Sequence, residues 1–177
     1  PGDGSTYYYD DIEVATPAEE LLELPVDFES TTIDYDLIGF EGADAAVEAN
    51  PDASGENTSD TVVRSTKTEG AQFFAGTTMT LDVAIDFSES EAISIKTWSP
   101  NANLRVRLKL EGSAGEVLEL DVNTTVTNQW ETLTWDFTGQ TGEVDWLTVV
   151  LFFEFVVDLP GDGSTYYYDD IEVATPA

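Results

Sequence analysis

The sequence contains no cysteine and no histidine among its 177 residues. Without cysteine no disulfide can crosslink the fold, so its stability has to come from the core or from bound ions. Without histidine the chain lacks the commonest general base and the commonest ligand of transition metals. This disfavours a zinc or copper site, whereas carboxylate oxygens that suit calcium are abundant.

Positive charge is the second shortage. The chain has 6 lysine and arginine residues against 36 aspartate and glutamate residues, a formal net charge of −30. Such a chain repels the phosphates of nucleic acids and anionic membrane surfaces, and it attracts cations. No apolar run approaches the roughly 20 residues that span a bilayer, and no signal peptide is visible. We therefore expect neither a nucleic-acid partner nor a membrane span.

Catalytic signatures are missing as well. Serine and threonine hydroxyls have no histidine to activate them, and no glycine-rich loop of the phosphate-binding type is present. Carboxylates are numerous enough for a glycosidase pair, but no particular pair stands out. We expect the protein not to be an enzyme.

An eighteen-residue segment, PGDGSTYYYDDIEVATPA, occurs at residues 1–18 and again at 160–177. The offset of 160 − 1 = 159 residues is the length of a domain, which indicates a tandem array of near-identical domains. On this interpretation residues 1–18 are the last strand of a preceding repeat, 19–24 are a linker and 25–177 are a complete repeat. The alternative is a piece of protein that was deliberately chosen to overlap the boundary between two repeats, which would have the same sequence.

Alternation of apolar and polar residues with period two predicts short strands almost throughout the chain. In segment 147–155, for example, Leu147, Val149, Leu151, Phe153 and Phe155 fall on one face. Eleven such segments and no long helix predict an all-β fold, an antiparallel β-sandwich of the jelly-roll type. The predicted strands are 26–30, 37–40, 61–67, 72–74, 79–87, 93–98, 104–110, 117–122, 130–137, 147–157 and 165–173.

The order of several motifs resembles the jelly-roll carbohydrate-binding modules that are appended to bacterial polysaccharide-degrading enzymes. These motifs are VDFES, NTSDTVVRSTK, ISIKTWSP, NQWETLTWDF, LFFEF and, most specifically, YYYDDIEV, and they extend over residues 25–174. The resemblance implies an extracellular or cell-surface module that binds polysaccharide on a concave sheet face or at loop tips. It also implies that the first and last strands lie together, with a structural calcium ion at that edge.

The last strand contains the best candidate metal ligand. Alternation places four residues on its core face: Tyr167, Asp169, Ile171 and Val173. A carboxylate at a core position is costly unless it is paired or binds a metal. Because the resemblance brings Glu29 close to Asp169, we predict a calcium site formed by Glu29, Asp169 and Asp60. The alternative is that Asp169 lies at a strand end and is solvated.

Five residues in the middle of the chain are candidates for ligand binding. A short turn separates segments 93–98 and 104–110, which predicts a β-hairpin whose outward face carries Lys96, Trp98, Arg105, Arg107 and Lys109. An exposed indole can stack on sugar rings, and the cations can bind uronate or sulfate groups. The alternative is that these cations form salt bridges with Asp82, Asp86 or Glu154, with Trp98 packed under a loop.

Two functional hypotheses follow. The first is a calcium-stabilised module that binds a polysaccharide, including an anionic one. The second is a structural repeat of a bacterial adhesin, stalk or fibre, whose partners are neighbouring repeats or copies of itself. In a variant of the second, the surplus strand at residues 1–18 inserts into a neighbouring molecule and gives head-to-tail assembly.

Overall fold

The computed structural model describes residues 3–4, 6 and 20–176. This part of the chain forms ten strands, in the following order. They are β1 (Ile38–Phe40), β2 (Ala43–Ala49), β3 (Thr61–Lys67), β4 (Gly76–Thr80), β5 (Ala92–Trp98), β6 (Arg105–Gly112), β7 (Val117–Asn123), β8 (Trp130–Asp136), β9 (Trp146–Phe153) and β10 (Thr165–Ala174). None of the described residues forms a helix that would be able to traverse a lipid bilayer.

The strands form two five-stranded antiparallel sheets. Sheet one has the order β1-β4-β9-β6-β7, and sheet two has the order β2-β3-β10-β5-β8. The apolar core lies between the sheets, and we call the opposite side of each sheet its outer face. The predicted antiparallel β-sandwich of the jelly-roll type is confirmed.

Alternation explains most of the strand faces. In β6, Val106, Leu108 and Leu110 are fully buried, whereas Arg105 and Arg107 lie on the outer face. The prediction fails where alternation is weak or is broken by the backbone. The alanine-rich β2 was not predicted, segment 79–87 is a strand only as far as its second residue, and segment 26–30 contributes a single bridge to β10.

The predicted hairpin between the fifth and sixth strands is wrong. β5 pairs with β10 and β8 in sheet two, whereas β6 pairs with β7 and β9 in sheet one. The six residues 99–104 that join them are enough to cross the gap of about 10 Å between packed sheets. Segment 154–164 crosses in the same way from β9 to β10.

The predicted face of the last strand is also corrected. Tyr166 and Tyr168 belong to the core, so Tyr167 and Asp169 lie on the outer face. The pairing of β10 with β5 shifts between Asp169 and Glu172, and Asp170 has a left-handed backbone (φ 45°). This bulge adds a residue and returns Ile171 to the core, where alternation alone had predicted it.

The buried core begins before residue 25. Leu22 falls within the predicted linker 19–24, yet only 3% of its surface is exposed. Its backbone N–H donates to the Asp82 carboxylate (2.8 Å), and its carbonyl accepts from the Asp82 N–H (2.8 Å). Residues 1–2, 5 and 7–19, which include most of the first copy of the duplicated segment, lie outside the described residues.

Replacing Leu22 with alanine tests this boundary. Because the side chain is buried in the core, we expect Leu22→Ala to lower the free energy of unfolding by about 2–4 kcal/mol. The neighbouring Leu21 is 50% exposed, so Leu21→Ala should change it by less than about 0.5 kcal/mol. Urea unfolding of both variants measures the difference, and equal effects would contradict a core that includes Leu22.

Candidate functional site

Five phenylalanine rings gather on the outer face of sheet one and at its end. We call them the phenylalanine cluster: Phe40, Phe73, Phe74, Phe152 and Phe155. Ring centroids are 5.7 Å apart between Phe40 and Phe152, 5.5 Å between Phe152 and Phe155, and 5.5 Å between Phe73 and Phe155. Phe74 contacts Phe73 at 5.0 Å and is 36% exposed. The cluster lies outside the main core and is partly open to solvent.

The end of β9 brings two of these rings together. Alternation predicted Phe155 on the core face with Phe153, and this prediction is wrong. Glu154 adopts a left-handed backbone (φ 52°), which breaks the alternation and turns the Phe155 ring toward Phe152. Phe153 stays in the core, stacked on Tyr166 at 4.6 Å. One irregular residue therefore adds the Phe155 ring to the outer face, where a regular strand would not place it.

A glycine makes room for the rings on the neighbouring strand. Gly76 of β4 pairs with Phe40 of β1, and β4 lies between β1 and β9. A Cβ atom at Gly76 would lie 2.8 Å from the Phe152 ring and 3.1 Å from the Phe40 ring. Because glycine has no side chain, the two rings can meet across β4.

Arg107 extends this surface toward β7. Its guanidinium carbon lies 3.9 Å from the centroid of the Phe155 ring, a cation–π arrangement. Both oxygens of Asp121 accept hydrogen bonds from it (2.7 and 3.0 Å), and Glu119 accepts a third (2.9 Å). The hydrogen bonds to Asp121 raise the pKa of Arg107. These hydrogen bonds thus hold the guanidinium over the ring of Phe155.

The structure divides the five predicted ligand-binding residues between two faces. Arg105, Arg107 and Lys109 lie on the outer face of sheet one, whereas Lys96 and Trp98 lie on the outer face of sheet two. They therefore do not form one patch.

Salt bridges, the alternative interpretation of these cations, are present but with other partners. Lys96 pairs with Asp170 (2.5 Å), Lys109 with Glu111 (2.6 Å), and Arg105 with Asp121 (3.7 Å). Among the described residues, none of the ion pairs involves the three carboxylates named from the sequence, which are Asp82, Asp86 and Glu154.

Trp98 lies in an aromatic row on the outer face of sheet two. It is paired with Trp130 of β8 on one side and with Tyr167 of β10 on the other. Its ring meets that of Tyr167 edge-on at 5.6 Å, and its indole N–H is shielded from solvent without an acceptor among the described residues. Trp130 donates its indole N–H to the Asp52 carbonyl (2.9 Å). Trp98 therefore packs against Tyr167, and Trp130 is bound to loop 50–60.

Asp169 is fully buried although it lies on an outer face. Loop 50–60 covers it, and the equally buried Asn57 donates from Nδ2 to Asp169 Oδ2 (2.8 Å). The backbone N–H of Asp170 donates to Asp169 Oδ1 (2.8 Å). Burial raises the pKa of Asp169 to about 6, although these hydrogen bonds oppose the shift. The carboxyl group is thus satisfied by hydrogen bonds but costly to ionise.

The other two predicted calcium ligands lie near the start of β3. Glu29 Oε1 accepts from the backbone N–H of Thr61 (2.9 Å), and the Asp60 carbonyl accepts from the N–H of Asn50 (2.9 Å). In the described part of the chain, no three or more histidine, cysteine or acidic side chains are grouped as a metal site requires. Calcium binding by Glu29, Asp60 and Asp169 stays a prediction.

No protein-family model matches the chain, and no curated protein matches it either. Solved structures do share its fold. An exo-β-agarase superposes with a TM-score of 0.62 at 12% sequence identity, over 89% of this chain and 25% of the agarase chain. The family 11 carbohydrate-binding module of the cellulase Lic26A-Cel5E of Clostridium thermocellum superposes with a TM-score of 0.55 at 17% identity, over 90% of this chain and 98% of the module.

A third structure, the module TmCBM61 in complex with β-1,4-galactotriose, gives a TM-score of 0.53 at 14% identity, over 89% of this chain and 99% of the module. The chain therefore has the β-sandwich fold of carbohydrate-binding modules. It spans nearly the whole of these modules but only about a quarter of the agarase.

The raised pKa of Asp169 predicts a distinctive pH dependence. An unfolded aspartate ionises near pH 3.9, so the folded protein binds this proton more tightly, and stability falls as the pH rises from about 4 to about 6. Asp169→Asn removes this titration. In chelator-containing buffer, we expect the free energy of unfolding of the wild type to fall by about 2–3 kcal/mol relative to that of Asp169→Asn between pH 4 and pH 7.

Urea unfolding of both proteins across this pH range measures the difference, which cancels the contribution of the other carboxylates. Parallel pH profiles would show that Asp169 ionises normally in the folded protein.

Proposed function

We propose that this chain is a non-catalytic module that binds a polysaccharide on the outer face of sheet one. The phenylalanine cluster carries the proposal, because it places apolar rings outside the core and beside polar groups. Such a surface suits sugars, whose rings present apolar C–H faces and whose rims carry hydroxyl groups. The glycan in the TmCBM61 structure and the mixed-linked tetrasaccharide in a family 11 module structure support sugar as the ligand class.

The charges on this face favour a neutral polysaccharide over an anionic one. Three cations, Arg105, Arg107 and Lys109, lie there with three carboxylates, Glu111, Glu119 and Asp121. Each cation is paired with a carboxylate, so the face has no excess positive charge with which to attract uronate or sulfate groups. The net charge of −30 would add long-range repulsion of a polyanion. Hydroxyl groups, in contrast, can bind to paired guanidinium and carboxylate groups without this penalty.

The same proposal includes an extracellular location and the absence of catalysis. The shared fold with carbohydrate-binding modules supports both, and the lack of a histidine base in the sequence supports the absence of catalysis. Modules of this kind act by holding a polysaccharide, which requires a preformed surface rather than a pair of catalytic carboxylates.

Single substitutions on the two outer faces test the location of the site. We expect Phe155→Ala to weaken glycan binding about tenfold or more, because it removes a central ring and the support of Arg107. Trp98→Ala removes a larger ring from sheet two and should leave the affinity within about twofold. Isothermal titration with the β-1,3-1,4-mixed-linked tetrasaccharide, β-1,4-galactotriose and a uronate polymer, at low and high salt, measures both.

Undiminished binding by Phe155→Ala together with loss of binding by Trp98→Ala would move the site to sheet two. Binding that prefers the uronate polymer and weakens steeply with salt would overturn the neutral ligand.

We further propose that calcium binds beside Asp169. The observation that favours it is a fully buried carboxyl group, with Asn57 and the predicted ligand Glu29 near the same end of sheet two. Asp169, Glu29 and Asp60 would supply carboxylate oxygens. A bound dication would stabilise the ionised form of Asp169, which the apolar surroundings disfavour.

Calcium should therefore raise the melting temperature of the wild type at pH 7, and a chelator should lower it. At a calcium concentration about a hundredfold above the dissociation constant, the free energy of unfolding should rise by about 2.7 kcal/mol. Asp169→Asn should show little response, and magnesium serves as the control ion. A wild-type melting curve that is indifferent to both calcium and chelator would remove the calcium proposal and leave the glycan site untouched.

A further inference from the structure

Lys67 differs from the other basic residues in its position. It is the last residue of β3 and shares the core-facing parity of Val63 and Ser65. Only 2% of its surface is exposed. Burial lowers the pKa of Lys67, and the charges of Glu154 and Asp162 oppose this shift. Within the described residues no carboxylate oxygen lies within 4 Å of its ammonium group, so its hydrogen-bond acceptors are not carboxylates.

Those partners are backbone carbonyls from two separate segments. Nζ donates to the carbonyl of Glu154 (2.9 Å) and to that of Phe73 (3.1 Å), and it lies 3.5 Å from the carbonyl of Phe153. Phe73 belongs to the turn between β3 and β4, whereas Phe153 is the last residue of β9 and Glu154 directly follows it. One ammonium group therefore joins the turn and the strand end across the sandwich.

These two segments carry most of the phenylalanine cluster. The turn supplies Phe73 and Phe74, while the end of β9 and the residues just after it supply Phe152 and Phe155. The carbonyl of Glu154 belongs to the left-handed residue that turns Phe155 toward Phe152. A left-handed backbone at a non-glycine residue costs free energy, so it persists only where surrounding contacts hold it. The hydrogen bond from Lys67 is such a contact.

Burying a lysine side chain at a core position is energetically unfavourable. Its ammonium group must leave water, which is unfavourable unless strong hydrogen bonds replace the lost hydration. What lysine provides is a set of three donors on one atom at the end of a long apolar stem. The stem is packed closely, since a Cβ at Gly161 would lie 3.0 Å from Lys67 Cγ. Few other side chains could reach both segments from the end of β3.

We propose that Lys67 is the positioning residue of the phenylalanine cluster: buried between the sheets, it fixes the turn carrying Phe73 and the strand end carrying Phe155 in one arrangement. It does not touch the glycan and acts only through the backbone of the cluster. The consequence for glycan affinity rests on the function proposed above, whereas the ordering of the two segments does not.

Lys67→Met tests this role, because methionine keeps a long apolar stem and lacks the three donors. Lys96→Met is the matched control, since it removes the same charge from the outer face of the other sheet. In Lys67→Met, we expect amide hydrogen exchange of Ala75, Phe155 and Val156 to accelerate about tenfold or more, because the carbonyls of Phe73 and Glu154 lose the hydrogen bonds from Lys67 that join the two segments. The ring-current-shifted proton resonances of Phe73 and Phe155 should collapse toward ordinary values.

Glycan affinity should fall in Lys67→Met about as much as in Phe155→Ala, and it should not change in Lys96→Met. Unchanged exchange and unchanged ring resonances in Lys67→Met would overturn the positioning role, whatever the glycan data show. Accelerated exchange with wild-type affinity would keep the ordering of the two segments but overturn its link to binding.

The function proposed above fails separately, through full binding by Phe155→Ala or no glycan binding by the wild type. If Lys67→Met does not fold, Lys67→Gln takes its place in the same measurements. Its amide nitrogen is one bond closer to the backbone than the lysine ammonium and carries no charge, so it cannot hold the carbonyls of Phe73 and Glu154 together, and the same outcomes decide.

Discussion

Burial of the apolar faces of two sheets against each other is the constraint on which the rest of the structure depends. The alternating strands leave one face of each sheet for the core, so most polar side chains of the strands lie on one of two outer faces. Because several connections cross between the sheets, residues that are close in sequence reach opposite sides of the molecule. Trp98 and Arg105 are seven positions apart, yet they lie on the outer faces of different sheets.

The scarcity of basic residues shapes both outer faces. A cation in a protein with a net charge of −30 finds carboxylates on the neighbouring strands, as Arg64 does with Asp44 and Glu48 and Arg107 does with Asp121. These pairs are partly exposed and contribute little to stability individually. Their effect on function is larger, because they neutralise each other and leave apolar rings as the distinguishing feature of sheet one. Lys67 is the exception, because it is buried and binds backbone carbonyls instead of a carboxylate.

Two left-handed residues account for the main departures from simple alternation. Glu154 ends the regular part of β9 and turns Phe155 to the outer face, while Asp170 forms a bulge that returns Ile171 to the core. Neither residue is a glycine, so the sequence gives no sign of the break. The tyrosines of β10 consequently have the reverse of the predicted orientation. Asp169 is buried as expected, but loop 50–60, which is far from it in sequence, covers it, and no local pattern reveals this.

The sequence by itself determined the all-β class, most strand positions, the buried faces of β6 and most of β9, and the shortage of transition-metal and catalytic ligands. These properties follow from composition and from a two-residue period, both of which are local. Only the tertiary structure decided which strands are neighbours, which aromatic rings gather outside the core, and what Lys67 binds. Those outcomes depend on chain crossings and on single backbone irregularities. They arise from contacts between residues far apart in sequence, and so periodicity cannot encode them.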